Sequence, residues 1–231
     1  MRIVPLPESS PAGIALYRLD LDLAMEAEAA WPSLTDDERR RAAGFARRAD
    51  RVRFAATRAC TRQLLATRLG CTAAEVPLRT GLHGKPHVDG NVADAPLFNV
   101  AHSGCHALVA LADARRVLQV GVDIEHCRDD LRVEDVAALA FTEVERRALA
   151  AADDVRHAFY ACWVGKEAAL KAVGVGIAAH LQRIDVHPRA GRRFDVACRE
   201  PAWAGLRVAG LRVPQGYTAA LAWRARTKAR Q

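Results

Sequence analysis

Lysine is nearly missing from this chain. Of its 34 Lys and Arg residues only four are lysine: Lys85, Lys166, Lys171 and Lys228. Two of these fall within six positions, in W-V-G-K-E-A-A-L-K, Trp163 to Lys171. Arg is locked in its cation, whereas Lys offers a compact charge that can give up a proton. A chain that otherwise writes positive charge as Arg marks this stretch by the exception.

Other absences exclude whole classes. No apolar run approaches the ~20 residues of a membrane helix. The start, M-R-I-V-P-L-P-E-S-S-P, lacks the apolar core of a signal peptide. The cysteines (Cys60, Cys71, Cys105, Cys127, Cys162 and Cys198) form no C-x-x-C and no finger spacing. They read as reduced, mostly buried thiols, so a cytoplasmic, membrane-free protein is expected. Aromatics make up only 6% of the chain and are sparse where charge is densest. Stacking on bases is therefore disfavoured, and nucleic acid is not expected as a partner. Acids are in deficit: the formal net charge is +7, and Arg39 to Arg68 holds ten arginines against the single acid Asp50. That excess suggests an anionic partner, a phosphate cofactor or an acidic protein.

What is present is enough for a good core, with 231 residues and 51% hydrophobic side chains. A-G-I-A-L-Y-R-L-D-L-D-L (12 to 23) reads as a strand. L-T-D-D-E-R-R-R opens a helix that the spacing carries to about Leu69, with Thr35 as N-cap and Phe45 and Phe54 on its apolar side. H-A-L-V-A-L-A and V-L-Q-V-G-V-D-I-E read as strands joined by D-A-R-R. Thr142 and Glu145 match a capping box. The stretch from Asp153 to Val173 is a long helix closed by the glycines at 174 to 176. Strands and turns follow, then the polar end R-A-R-T-K-A-R-Q. The order implies an α+β fold of two halves, 1–112 and 113–231, joined near 112 to 119.

Three constellations carry chemistry. Asp123 and Glu125, two apart at a strand end, point to one face while Val122 and Ile124 point to the other. Paired carboxylates repel unless a cation or protons separate them, and a hard divalent ion such as Mg²⁺ resolves this; an ordinary acidic strand end is the alternative. On the long helix, Trp163, Glu167 and Lys171 share one face at i, i+4 and i+8, while Lys166 lies about 100° round. Lys166 is expected to face solvent or assist docking, with Lys166→Arg nearly silent. Finally, His102 in F-N-V-A-H-S-G and Lys85, held extended before Pro86, are presented polar groups.

Taken together and in this order, G-K-P-H-V, F-N-V-A-H-S, G-V-D-I-E and W-x-x-K-E-A-x-x-K resemble the 4′-phosphopantetheinyl transferases of the Sfp (surfactin-synthetase-activating) type. The resemblance runs from about residue 35 to 190. It implies two pseudo-symmetric α/β halves with the active site at their interface. It also implies transfer of phosphopantetheine from coenzyme A to a serine of an apo carrier protein, releasing adenosine 3′,5′-bisphosphate. By resemblance, Asp123, Glu125 and Glu167 would hold Mg²⁺, with Mn²⁺ as an alternative. Asp123 would also border the coenzyme, Lys171 would contact its phosphates, and Glu167 or a water would take the serine proton. Lys85, Pro86, Ala101 and His102 would bind the nucleotide end, and Arg41, Arg48, Arg53 and Arg58 could receive the 3′-phosphate. An acidic acyl or peptidyl carrier protein is the expected partner, served by a monomer. Two departures stand out: Ala101 replaces a usual Ser, and Gly165 replaces a usual Ser, Thr or Met. A Mg²⁺-dependent nuclease and a non-catalytic binder of coenzyme A or carrier are the competing readings.

Overall fold

Apolar positions at period two and period 3.6 each need a partner layer, and here they find it in four stacked layers. The computed structural model describes residues 1–89, 92, 94–176 and 179–226. The end of the polar tail, 227–231 with Lys228, lies outside the described residues. The chain opens with β1 (Arg2–Pro5) and β2 (Ile14–Asp20), followed by α1 (Asp36–Ala43) and α2 (Arg48–Leu69). Next come β3 (Leu78–Thr80), β4 (Pro86–Val88), β5 (Leu97–Ser103), β6 (His106–Ala112) and β7 (Val117–His126). Helices α3 (Val133–Ala140), α4 (Glu143–Ala150) and α5 (Val155–Val173) follow. The described chain ends in β8 (Ile184–Arg189), β9 (Arg193–Cys198), β10 (Arg207–Gly210) and β11 (Tyr217–Ala225).

The strands make two antiparallel sheets, ordered β1-β2-β6-β5 and β7-β11-β10-β9-β8, with β3 and β4 as a separate pair. The expected strands at 106–112 and 117–125 form, but they do not pair with each other. The turn between them takes the chain from one sheet to the other. The core shows why. Leu16, Leu108 and Ala110 of the first sheet pack against Val120, Val122 and Leu221 of the second. On the outer faces, Cys60 and Leu65 of α2 cover Val109 and Leu111, while Ala168 and Ala172 of α5 cover Ala220 and Ala222. The order is thus helix, sheet, sheet, helix. The two sheets also repeat a topology, since in each the strand before the long helix pairs with the last strand (β2 with β6, β7 with β11).

Local chemistry sets the ends. Thr35 with Glu38 and Thr142 with Glu145 form reciprocal capping boxes at α1 and α4, each satisfying two orphan N–H groups. Asp154 caps α5 by accepting from the His157 N–H at 2.9 Å, and Gly174 ends it in the left-handed region at φ 85°. The single helix expected from Thr35 to Leu69 is instead two. Gly44 closes α1, and Arg47, extended at ψ 130°, starts α2 afresh. This break lets the short acidic-capped helix fold back on the long one, where Glu38 meets Arg62 at 2.6 Å.

Candidate active site

The first sheet's outer strand β5 runs beside β7, and side chains tie them together where no β-ladder does. The Asn99 Oδ1 accepts from the Val122 N–H at 2.8 Å. Ser103 Oγ donates to Glu125 Oε2 at 2.9 Å and accepts from the His126 N–H at 3.1 Å. Neither residue was assigned a role from the sequence. The signal for Asn99 was a polar side chain facing inward on an apolar strand, where a partner is obligatory.

On the other side of β7 lies α5, brought very close by one glycine. A Cβ on Gly121 would overlap the Ala168 carbonyl and the Ala172 backbone. The close approach is what lets the strand's acids meet the helix. Asp123, only 2% exposed, pairs with Lys171, Nζ to Oδ1 at 2.5 Å, and Lys171 also reaches Glu167 Oε2 at 3.1 Å. The face drawn from i, i+4 spacing is therefore real. Trp163 closes its far end by stacking on Phe159 at 6.0 Å.

The electrostatics follow from three carboxyls around one ammonium. Burial raises the pKa of Asp123, and the charges of Glu167 and Glu125 add to it against the pull of Lys171. Burial also raises Glu125, partly offset by the Ser103 hydrogen bond. Burial by itself would lower Lys171, but the Asp123 and Glu167 carboxylates outweigh it and raise its pKa. The two ends of the Asp123–Lys171 contact thus pull toward holding a proton, the response of a buried cluster with surplus negative charge.

The acidic set suits a divalent cation in its chemistry. Asp123 Oδ2 is buried without any hydrogen-bond partner, and hard cations take carboxylate oxygens. As the side chains stand, no three metal-binding groups converge among the described residues, because Lys171 occupies the gap between Asp123 and Glu167.

Beyond Lys171 opens a cleft of about 280 Å³, lined among others by Arg41, Arg58, Pro86, Ala101 and His102. The guanidinium groups of Arg41 and Arg58 lie over the Phe54 ring, at 5.1 and 5.7 Å from its centre, so Phe54 floors the cleft as well as belonging to an apolar face. Burial lowers the pKa of Arg58, opposed by Glu38 and reinforced by Arg62 and Arg41, the mark of a cation crowd short of anions. His102 keeps an exposed face, yet burial and then the charges of Arg53 and Lys171 lower its pKa.

Four residues stand otherwise than the sequence suggested. Arg48 is exposed and turned to Glu26 at 2.6 Å and the Ala24 carbonyl, away from the cleft. Arg53 is engaged with the Gly104 carbonyl at 2.9 Å and Asp50 at 2.5 Å. Lys166 does not face solvent at all. It is 0% exposed, with Nζ 2.6 Å from Glu145 Oε2 and 2.7 Å from the Ile184 carbonyl. Lys85, the expected nucleotide ligand, buries its ammonium among backbone carbonyls instead.

Comparison with known proteins gives this geometry a family. A model of the 4′-phosphopantetheinyl transferase superfamily matches residues 119–222, the stretch that carries Asp123, Glu125, Glu167 and Lys171. The 4′-phosphopantetheinyl transferase HetI of Nostoc sp. is 32% identical over 197 residues, covering 83% of this chain and 80% of that one. The chain belongs to the 4′-phosphopantetheinyl transferase superfamily. With the family comes the reaction class, phosphopantetheinyl transfer, and support for the nuclease and non-catalytic readings falls away. A Synechocystis sp. protein given the same transferase name is 31% identical over 153 residues, 65% of this chain but 61% of its own length. The L-aminoadipate-semialdehyde dehydrogenase-phosphopantetheinyl transferase of Schizosaccharomyces pombe is 27% identical over 71% of this chain and 70% of its own. Among solved structures, the holo-[acyl-carrier-protein] synthase of Neisseria meningitidis is similar over 48% of this transferase and 99% of its own chain, at 19% identity and a TM-score of 0.40. No described helix of the transferase is long and apolar enough to cross a membrane.

Proposed function

We propose that this transferase moves 4′-phosphopantetheine from coenzyme A to a serine hydroxyl of an apo acyl or peptidyl carrier protein, releasing adenosine 3′,5′-bisphosphate. One juxtaposition carries the reading. The Lys171 ammonium, set between Asp123 and Glu167, stands on the wall of the cleft that also holds Arg41 and Arg58. A cosubstrate with a pyrophosphate in its middle and a separate phosphate on its ribose matches two cationic stations of that kind.

The residues divide the work. Arg41 and Arg58 receive the 3′-phosphate, and His102, Ala101 and Pro86 border the nucleotide between them and Lys171. Lys171 contacts the pyrophosphate and stabilises charge on the leaving phosphate, a preorganised donor of the kind that dominates phosphoryl transfer. Glu167, or a water beside it, takes the serine proton as the hydroxyl attacks the β-phosphorus. A divalent cation, Mg²⁺ or Mn²⁺, held by Asp123, Glu125 and Glu167 would supply charge neutralisation on the pyrophosphate. Ser103 and Asn99 fix the strand and carboxylate on which this depends.

The net charge of +7 suits an acidic carrier steered by long-range attraction, met by a monomer in the cytoplasm. The test is direct: incubate the protein with coenzyme A, Mg²⁺ and apo carrier proteins, then weigh the carriers. A gain of about 340 Da, the transferred arm, is expected where the metal assists phosphoryl transfer. Carriers from fatty acid, polyketide and nonribosomal peptide systems that all keep their apo mass would refute the reading.

A further inference from the structure

An ammonium has three hydrogens to give, and Lys85 spends all three on backbone. Its Nζ lies 2.6 Å from the Lys171 carbonyl, 3.0 Å from that of Val120 and 3.4 Å from that of Ala172. Two of these acceptors are in the last turn of α5, where carbonyls have no intrahelical donor and the helix dipole gathers negative charge. The third is on β7, three residues before Asp123. Lys85 therefore grips both elements of the site by their main chains. Lys171 is held at its carbonyl by Lys85 while its own ammonium reaches Asp123. Burial lowers the Lys85 pKa to about 8, which still leaves the ammonium charged at neutral pH.

We propose that Lys85 is a positioning residue for Lys171, latching the end of α5 to β7 so that the Lys171 ammonium stands at the cleft wall. This differs from the phosphate or nucleotide contact expected from the sequence. To reach a phosphate, Lys85 would have to abandon charge-assisted bonds to three carbonyls, leaving those of Lys171 and Ala172 without that donor. The chemistry also specifies Lys. Three carbonyls converging on one point suit a compact ammonium, whereas the planar guanidinium fork of Arg spreads its donors in one plane.

The inference deepens the transferase reading and rests on it only for the kinetic arm of its test. The first arm uses the free protein. In Lys85→Met, amide exchange in the last turn of α5 and around Val120 should quicken at least tenfold, while the amides of α2 stay unchanged. The second arm uses coenzyme A and an apo carrier. Lys85→Met should lower kcat about tenfold or more with less than a threefold change in the KM for coenzyme A, and Lys85→Arg should not rescue it. Lys85→Gln, which keeps an N–H donor, replaces the Met variant if that one does not fold. Unchanged exchange in the free protein overturns the latch. Quickened exchange with unaltered kcat overturns the positioning role. A tenfold rise in KM with rescue by Arg makes Lys85 a ligand and overturns the proposal. If the wild-type protein transfers nothing, the transferase reading fails by itself, and the exchange arm still decides the latch.

Discussion

Replacing Lys166 with methionine removes a buried charge while keeping most of the volume, and the structure says what that should cost. Lys166 and Glu145 are 0% and 1% exposed at their side chains, so no water can take either partner's place. Breaking such a pair from one side costs about 3–5 kcal/mol, because the other charge is left stranded. Here the stranded Glu145 keeps two donors, the N–H groups of Thr142 and Val186, each at 2.8 Å. That argues for the lower end, about 3 kcal/mol. The Ile184 carbonyl also loses its donor, an unmet buried acceptor worth about 1 kcal/mol more. The sum is about 4 kcal/mol, a large part of the 5–15 kcal/mol typical of a folded domain. In urea, with a slope of about 2–3 kcal/mol/M for a chain of this size, the midpoint should fall by about 1.5 M. Lys166→Arg keeps the charge but overfills a packed site and should cost about 1–3 kcal/mol. Adding Glu145→Gln to Lys166→Met should recover part of the loss, since the stranded charge is gone. As a control, Arg183→Ala in the exposed Arg183–Glu200 pair should stay within about 1 kcal/mol. Refutation would be a Lys166→Met protein within 1 kcal/mol of the wild type, or a double variant less stable than the single one.

Lys171→Ala should lower kcat by about two orders of magnitude, as expected for one preorganised contact, measured at saturating coenzyme A. A loss below fivefold would remove Lys171 from the phosphate. Gly121→Ala should destabilise the protein by about 3 kcal/mol or more, since the new methyl meets α5 backbone that cannot turn aside; an unchanged thermal midpoint would contradict the close packing. Under native conditions a maleimide should modify exposed Cys105 first. Cys60, whose pKa burial pushes up to about 12, should stay unmodified through pH 8 by peptide mass, because the thiolate is the reactive form.

What the sequence made legible was what depends on neighbours within one element. The alternation of β7 places Asp123 and Glu125 opposite Val122 and Ile124, and the helical spacing of α5 aligns Trp163, Glu167 and Lys171. The Thr142–Glu145 capping box is written in four consecutive residues, and the Thr35 N-cap in the residue that opens its helix. What was hidden depends on partners far along the chain. The burial of Lys166 is decided by Glu145 and by the backbone of β8, neither visible from the helix on which Lys166 sits. Charge alone marked it as a surface residue. Arg48 and Arg53 fall in one arginine run, but Glu26 turns Arg48 away from the cleft, and the Gly104 carbonyl and Asp50 engage Arg53. The helix break at 44 to 47 was masked because Gly44 interrupts an otherwise helical pattern only once. The D-A-R-R turn reads equally well as a hairpin or as a passage between sheets, and only the packing of Val120 and Val122 on Leu108 and Leu16 decides it.

The seam between β5 and β7 behaves unlike the strand pairs on either side of it. In a ladder, register is collective: a slip of one residue turns every side chain to the wrong face. Asn99, Ser103 and the neighbouring Tyr217 hydroxyl, which accepts from the Cys105 N–H at 3.1 Å, are separate rivets. Losing one leaves the others in place, so damage along this line accumulates in steps and not as a single collapse. The two sheets can each stay whole while the gap between them loosens. The acids of β7 and the cleft walls on β5 lie on opposite sides of that line, so chemistry should fade along it well before folding does.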